Sequence, residues 1–163
     1  MRRVATIGVY GASAEAFLAC LREAEVEQVL DVRQRRGVRG AEYAWANATR
    51  LEQALYDAHI DYRHHLELAP TTELRKLQYA EDDRQGVGKR SRVELAPAYR
   101  ERYLAEILDH VDLAPIVEAM PKRARAALLC VERDPEACHR SLIAERLAAE
   151  FGCEVVHLRA RDA

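Results

Sequence analysis

The sequence predicts one α/β domain over residues 1–163, a three-layer arrangement in which a mostly parallel sheet of about five strands carries helices on both faces. Two observations predict this class. Short apolar runs alternate along the chain with stretches of helical periodicity, and 163 residues is the length of about one domain with its own core. Strands that are separated by helices are joined by right-handed crossovers, and such crossovers build a parallel sheet.

The predicted strands are short segments rich in valine, leucine and isoleucine. The fourth is the clearest buried strand because it is apolar without interruption, whereas the third alternates only partly. In chain order the predicted strands are Arg3–Tyr10, Glu27–Val32, Ile60–His65, Arg125–Glu132 and Cys153–Leu158.

Two helices in the first half of the chain are predicted from their start signals. Ser13 is a typical N-cap, and the apolar residues after it recur at helical spacing. Thr49 and Glu52 have the spacing of a capping box ahead of a helix through Leu51 and Leu55.

Three more helices are predicted in the second half. Residues 71–83 have helical character, and Pro97 suits the first turn of a helix that carries two tyrosines. Asp134 and Pro135 resemble an N-cap and first-turn pair for a helix that runs to about Glu150, with Gly152 near its C-terminus.

Polar residues follow several of the predicted strands. Ligands of parallel α/β sheets bind at the carboxyl ends of the strands, so these residues are expected to meet at one edge. The residues concerned are Tyr10–Ser13, Asp31–Arg39, His64, His65, Cys130–Glu132 and His157.

The tripeptide Cys138-His139-Arg140 is the first candidate for chemistry. If Asp134 caps the helix, Cys138 lies at the end of its first turn, where the helix dipole, Arg140 or a protonated His139 would favour a thiolate. A thiolate is a nucleophile, a metal ligand or a redox group. The alternative is structural: Cys138 packs inward with Leu142, and His139 and Arg140 make ordinary hydrogen bonds.

Glu132 and the possible metal ligands allow two interpretations each. Glu132 follows a buried strand and therefore needs a partner, as a general acid or base or in a structural pair with an arginine. Cys130, Cys138, His139 and His157 are all potential ligands. However, the spacing Cys-x7-Cys-His matches no compact zinc pattern, so no metal site is expected.

Two basic loops are candidate anion sites. The segment DVRQRRGVRG places Arg33 and Arg36 directly after a strand, and Asp31 can orient Arg33 or bind a ribose hydroxyl. The second loop contains Lys89, Arg90 and Arg92. Neither loop is a Walker A motif, and no dinucleotide fingerprint is present, so a solvated charged surface is the alternative for both.

Composition limits the expected partners and location. The net charge of −2 does not favour nucleic acid as a partner, so any anion site must be local. The apolar run Val4–Val9 is far too short to span a membrane, and no membrane partner is expected. Four cysteines without disulfide-scaffold spacing predict reduced thiols and a cytoplasmic protein. No particular cofactor or oligomeric state is indicated.

Several short motifs occur together over almost the whole chain. In order they are Thr6-Ile7-Gly8, Asp31-Val32-Arg33, Cys130-x-Glu132, Cys138-His139-Arg140 and His157. With them the region from about Val4 to Leu158 resembles the family called domain of unknown function 488. The resemblance implies an α/β domain with a mostly parallel sheet and brings no settled activity. The family usually continues Thr-Ile-Gly with a histidine and a small polar residue, where this chain has Val9 and Tyr10, and the loop after Arg33 lacks the family's proline.

The candidate residues together favour an enzyme that acts on a phosphorylated or nucleotide-like small molecule. In this hypothesis three arginines bind the anion, Glu132 or His157 transfers protons, and Cys138 is a nucleophile or a polarising thiol. The three arginines are Arg33, Arg36 and Arg140.

Two alternatives stay open. The first is a non-catalytic module that binds a nucleotide or a nucleic-acid end at the same site. The second is a domain whose polar corner is only a structural network. A thiol phosphatase is excluded because its loop needs arginine six positions after cysteine, where this chain has Glu136 and Ala144.

Overall fold

A computed structural model describes residues 1–88 and 91–161 and has an all-parallel sheet of five strands in the order β3-β2-β4-β1-β5. Helices surround this sheet, which confirms the predicted three-layer α/β class. The strands are β1 (Arg3–Ile7), β2 (Val26–Asp31), β3 (Asp61–His64), β4 (Arg125–Leu129) and β5 (Glu154–His157).

Helices connect these strands, and the sequence pattern predicted all of them except the short helix Ala114–Glu118. They are α1 (Ala14–Glu23), α2 (Ala48–Asp57), α3 (Thr72–Gln85), α4 (Pro97–Glu106), α5 (Ala114–Glu118) and α6 (Arg140–Phe151). Pro97 begins α4, and Gly152 ends α6 in a left-handed conformation with φ 66°, both as predicted. No helix of the described residues combines the length and the apolar character that a membrane span requires.

Strand β4 lies at the centre of the sheet between β1 and β2. Ala127 pairs with Ala5 of β1 on one side and with Val29 of β2 on the other. The side chains of β4 from Ala126 to Leu129 are fully buried. Because β4 is central, whatever follows Leu129 emerges in the middle of the carboxyl edge, next to the segment that follows β2.

The first helix start agrees with the sequence. Ser13 is the N-cap of α1, and its hydroxyl oxygen accepts a hydrogen bond from the backbone N–H of Ala16 at 3.1 Å. A side-chain cap of this kind satisfies one of the backbone donors that the first turn leaves without a helical partner.

We expect Ser13→Ala to lower the free energy of unfolding by about 1 kcal/mol, because that donor then loses its acceptor. Urea denaturation followed by circular dichroism measures the change. Thr71→Ala serves as the matched variant, since Thr71 caps α3 through a hydrogen bond from Leu74 N at 3.2 Å. A Ser13→Ala protein as stable as the wild type would contradict the capping role.

The predicted capping box at Thr49 is wrong. The helix α2 begins at Ala48, so Thr49 lies inside its first turn, and the N-cap is Asn47. Asn47 does not cap α2 with its side chain, because its Oδ1 accepts from the backbone N–H of Val38 at 2.7 Å. The carboxylate of Glu52 instead accepts a hydrogen bond from Arg36 at 3.0 Å.

The predicted helix start at Asp134 is also wrong. Pro135–Ala137 form a single 3-10 turn, Cys138 is extended with φ −141° and ψ 146°, and α6 begins only at Arg140. An aspartate followed by proline opens a 3-10 turn as readily as an α-helix, and here the turn does not continue. Cys138 is therefore not part of a helical turn. Its side chain and that of His139 are not held about 100° apart, as consecutive side chains of an α-helix are.

Candidate functional site

A cavity of about 690 Å³ lies at the carboxyl edge of the sheet, where the segments after β2 and β4 emerge. Its lining includes five of the predicted catalytic, anion-binding and other site residues, namely Arg33, Cys130, Glu132, Cys138 and His139. They come from three separate stretches of the chain, and the adjacency of β2 and β4 brings them together. The expected convergence at the strand ends is therefore present for this group.

Two thiols and one imidazole form a compact cluster on the cavity wall. The Nδ1 atom of His139 lies 3.6 Å from the sulfur of Cys138 and 3.9 Å from the sulfur of Cys130. The other ring nitrogen, Nε2, lies 2.8 Å from the carbonyl oxygen of Val32. A carbonyl only accepts, so Nε2 carries a hydrogen and the ring orientation is fixed with Nδ1 toward both sulfurs.

The pKa values of the two thiols are shifted in opposite directions. Burial opposes ionisation of Cys138, but the hydrogen bond from Cys130 and the charges of His139 and Arg140 outweigh it, so its pKa lies well below the usual value. The pKa of Cys130 is well above the usual value because its thiol donates to Cys138 and is buried. Burial lowers the pKa of His139, but the negative Cys138 raises it further, so the net shift is upward. Both shifts favour the ionised form of Cys138 beside His139.

Glu132 is part of a buried charge network that the sequence only partly indicated. The guanidinium of Arg92 donates to Glu132 Oε1 at 2.7 Å and to Asp82 Oδ2 at 2.8 Å. Its Nε donates to the carbonyl of Ala137 at 3.2 Å. Arg92 thus connects helix α3, the second basic loop and the segment before Cys138. The other two basic residues of that loop, Lys89 and Arg90, lie outside the described residues.

Gln78 and Asp82 are site residues that the sequence analysis missed. Gln78 donates to Asp82 at 2.9 Å, and its oxygen accepts from the backbone N–H of Ala96 at 2.8 Å. Both side chains are buried on α3 and are four residues apart. Their burial depends on how α3 packs, and no signal in the sequence distinguishes them from polar residues on a solvated helix face.

Arg33 is fixed in place by hydrogen bonds to neighbouring residues. Its guanidinium donates to both carboxylate oxygens of Asp31, at 2.8 and 2.7 Å, and to the carbonyl of Ala46 at 2.8 Å. Tyr62 donates to the same carboxylate at 2.5 Å. Asp31 therefore orients Arg33, one of the two roles expected for it, and fixes the start of the basic loop. Anion binding by Arg33 stays a prediction.

Besides Asp31, three predicted site residues lie outside this cavity's lining. Arg36 donates to Glu52 and to the hydroxyl of Tyr62. Arg140 is fully buried and donates to the carbonyl oxygens of Glu132 and Arg133, at 2.7 and 3.2 Å.

His157 is the third. His157 is in the edge strand β5, and its Nδ1 lies 2.8 Å from Oγ1 of Thr6. Strand β1 separates β5 from β4. The pKa of His157 is lowered, first by burial and then by the nearby charge of Arg140. The functional roles given to Arg36, Arg140 and His157 stay predictions.

Other cations and aromatic rings surround the cavity mouth. Arg35 is exposed and lines the cavity, as does Arg39 of the same loop. Arg75 donates to the hydroxyl of Tyr79 at 3.0 Å, and its guanidinium lies 5.7 Å from the centre of that ring. Nothing in the sequence of helix α3 distinguishes Arg75 and Tyr79 from ordinary surface residues, so neither was predicted to belong to the site.

The aromatic residues near the basic loop have separate roles. Tyr10 lines the cavity and packs against Tyr43 with the ring centres 5.3 Å apart. Trp45 packs against the core residue Phe17 with the ring centres 4.9 Å apart. Trp45 therefore packs against the core.

Within residues 1–88 and 91–161 the structure places one potential metal-ligand group at this site. The ligand atoms of Cys130, Cys138 and His139 all lie within 4.8 Å of one another. The expectation of no metal site was based on the spacing of these residues along the chain. The fold brings them close together, although that spacing did not predict it.

The fold and the site define a parallel α/β protein with a cysteine–histidine cluster beside a basic cavity. A family model described as "Domain of unknown function DUF488" matches residues 13–147. The chain belongs to this family, as the resemblance predicted. Neither the search of curated proteins nor the search of solved structures found a match.

Proposed function

We propose that the protein is an enzyme that acts on a phosphorylated or nucleotide-like small molecule bound in this cavity. The observation that carries the proposal is that one cavity is lined by arginines of the loop after β2 and by Cys138 and Glu132. Cations that bind an anion, a carboxylate and a reactive sulfur are the components that such an enzyme needs in one hollow.

The anion is bound in this proposal by the exposed arginines at the cavity mouth. Arg35 and Arg39 reach the cavity from the loop that Arg33 fixes through its pairing with Asp31. A guanidinium binds phosphate through paired hydrogen bonds, and a loop fixed at its base loses little entropy when it does so.

The aromatic residues support the nucleotide-like part of the proposal. Tyr10 and Tyr79 both line the cavity. A base can stack on such rings irrespective of its identity, at a gain of about 1–3 kcal/mol per base.

The chemistry is assigned to the wall of the cavity below these groups. The cluster of Cys130, Cys138 and His139 is the reacting end, and Glu132 is the carboxylate assigned to proton transfer. The ion pair with Arg92 fixes one oxygen of Glu132 and thereby its direction.

We expect Arg35→Gln to raise the dissociation constant of adenosine monophosphate at least about tenfold, because one charge-assisted hydrogen bond to phosphate contributes roughly 1.5–3 kcal/mol. Isothermal titration calorimetry at two salt concentrations measures the change. The matched control is Arg22→Gln, an exposed arginine of α1 with the same change of charge. Inorganic phosphate as a second probe separates anion binding from base stacking.

Turnover decides between the enzyme and the alternative. Incubation of the wild type with a panel of nucleotides and sugar phosphates, followed by chromatography, is expected to yield a product that Glu132→Gln no longer forms. Saturable, salt-dependent binding without any product would instead favour the non-catalytic nucleotide or nucleic-acid binding module. Equal affinities of Arg35→Gln and Arg22→Gln would remove the anion site from the mouth of the cavity.

A further inference from the structure

We propose that Cys130, Cys138 and His139 form a binding site for a zinc ion with one coordination position open to the cavity. Their three ligand atoms lie within 4.8 Å of one another. Zinc prefers thiolate and imidazole ligands, and it is commonly bound by three protein ligands where it also binds a water or a substrate. The site does not depend on the enzymatic proposal, because metal binding needs no substrate.

The distances in the cluster match those that tetrahedral zinc imposes on its ligands. Bond lengths of about 2.3 Å to sulfur and 2.0–2.1 Å to nitrogen at tetrahedral angles place sulfur and nitrogen about 3.6 Å apart. The measured distances from His139 Nδ1 are 3.6 Å to Cys138 and 3.9 Å to Cys130. Shifts of a few tenths of an ångström therefore suffice to bring both nitrogen-to-sulfur distances to the tetrahedral value.

The histidine is already oriented as a metal ligand. Its Nε2 donates to the carbonyl of Val32 at 2.8 Å, which leaves Nδ1 as the nitrogen directed at both sulfurs. Metal-binding histidines generally use the second ring nitrogen in this manner, and the hydrogen bond sets both the tautomer and the ring direction. Val32 directly follows β2, so the central sheet itself holds the ligand.

The backbone explains why the spacing along the chain did not predict the site. Cys130 directly follows the central strand β4, and the 3-10 turn at Pro135–Ala137 returns the chain toward it. Cys138 is extended whereas His139 has helical backbone angles, and across this change of conformation the sulfur and the imidazole ring come together at 3.6 Å. In a compact zinc motif the ligands are close in space because they are close in sequence. Here they are close because the loop after β4 folds back onto the end of that strand.

The surroundings favour an open site over a purely structural one. All three ligand residues line the cavity, although each is at most 5% exposed. On one side the protein would shield an ion at this site from bulk water. On the other side a small molecule in the cavity could reach the ion. A water or the anionic group of a bound molecule would take the fourth position, with the zinc as a Lewis acid.

The experiment uses the full chain, stripped of metal with a chelator under reducing conditions. Titration with Zn²⁺ in competition with a chromophoric chelator is expected to give one ion per chain. Co²⁺ is expected to give the visible absorption of a tetrahedral site together with a thiolate charge-transfer band. Cys130→Ser and Cys138→Ser should each weaken Zn²⁺ binding at least about 100-fold, because losing a ligand costs more than losing an outer-shell contact.

The other two cysteines provide matched controls. Cys20→Ser and Cys153→Ser change thiols that lie outside the cluster and should bind Zn²⁺ as the wild type does. Unchanged affinity in Cys138→Ser, or equal losses in all four variants, would overturn the assignment.

A measurement on the wild type covers the case in which the cysteine variants fail to fold. Iodoacetamide labelling followed by peptide mass spectrometry is expected to show that Zn²⁺ protects Cys130 and Cys138 and leaves the labelling of Cys20 unchanged. Equal labelling with and without Zn²⁺ would overturn the site. Loss of nucleotide binding in Arg35→Gln with intact Zn²⁺ binding would separate the two proposals, since each then succeeds or fails on its own measurement.

Discussion

Gly8→Ala is expected to lower the free energy of unfolding by about 3 kcal/mol or more, the upper range for an overpacked interior. A Cβ atom on Gly8 would lie 2.0 Å from the carbonyl oxygen of Glu132 and 2.8 Å from its carbonyl carbon. Both are backbone atoms, so no side-chain rotation can relieve the contact. The segment after β1 and the segment after β4 must separate if the methyl group is to fit.

The neighbouring hydrogen bonds make that separation costly. The backbone N–H groups of Val9 and Tyr10 both donate to the carbonyl of Val131, at 3.1 and 3.0 Å. The fully buried Arg140 donates to the same Glu132 oxygen that the methyl group would strike, at 2.7 Å. Moving the loop therefore leaves a buried guanidinium with poorer partners, a second penalty in addition to the steric one.

Gly37→Ala is the matched control. No atom lies within 4 Å of a Cβ built on Gly37, and its φ lies outside the left-handed region. We expect its stability to stay within about 1 kcal/mol of the wild type, because alanine there only restricts the unfolded chain. Urea denaturation of both variants measures the difference. Equal midpoints for Gly8→Ala and Gly37→Ala would show that the two segments can move apart freely.

Gly8 also gives a physical reason for one motif of the family resemblance. In Thr6-Ile7-Gly8 the strand β1 ends at Ile7, and the glycine is the residue at which the chain crosses the backbone of Glu132. The motif therefore sets how closely the segment after β1 approaches the cavity wall. Neither the resemblance nor the composition of the strand indicates this, because the close approach exists only between two distant segments.

The sequence predicted the elements of the sheet but not their order. Most of the strands are short segments rich in apolar residues, which is a local property, whereas β3 alternates only partly. The insertion of β4 between β1 and β2 depends on how α6 and the other helices pack, which no local pattern records. Strand order also limits the rule that polar residues after parallel strands meet at one edge. His157 follows the rule, but β1 separates it from Cys130.

The site was predicted where it follows directly from the central strands. Arg33, Cys130 and Glu132 emerge from the adjacent strands β2 and β4, so the edge rule places them together. Arg92 and Asp82 required knowledge of how α3 packs over that edge. Their ion pair joins segments that have no pairing signal in sequence, since a lone aspartate on a helix is usually solvated.

Asp31→Asn is expected to lower the free energy of unfolding by about 3–5 kcal/mol, the usual cost of removing one partner from a buried ion pair. Asp31 is fully buried and accepts hydrogen bonds from the guanidinium and the backbone of Arg33 and from the hydroxyl of Tyr62. Arg33 is itself only 2% exposed. In Asp31→Asn the buried charge of Arg33 faces a neutral amide instead of a negatively charged carboxylate with two acceptor oxygens.

Two further proteins show whether the cost comes from the buried charge. Glu106→Gln breaks the exposed pair with Arg102 on α4 and is expected to leave stability unchanged, because solvent screens such a pair. Asp31→Asn combined with Arg33→Met removes the charge as well as its partner, and we expect it to recover a large part of the lost stability. Urea denaturation midpoints compare all three with the wild type. If the double variant were as unstable as Asp31→Asn alone, the loss would come from the amide's packing and not from an uncompensated guanidinium.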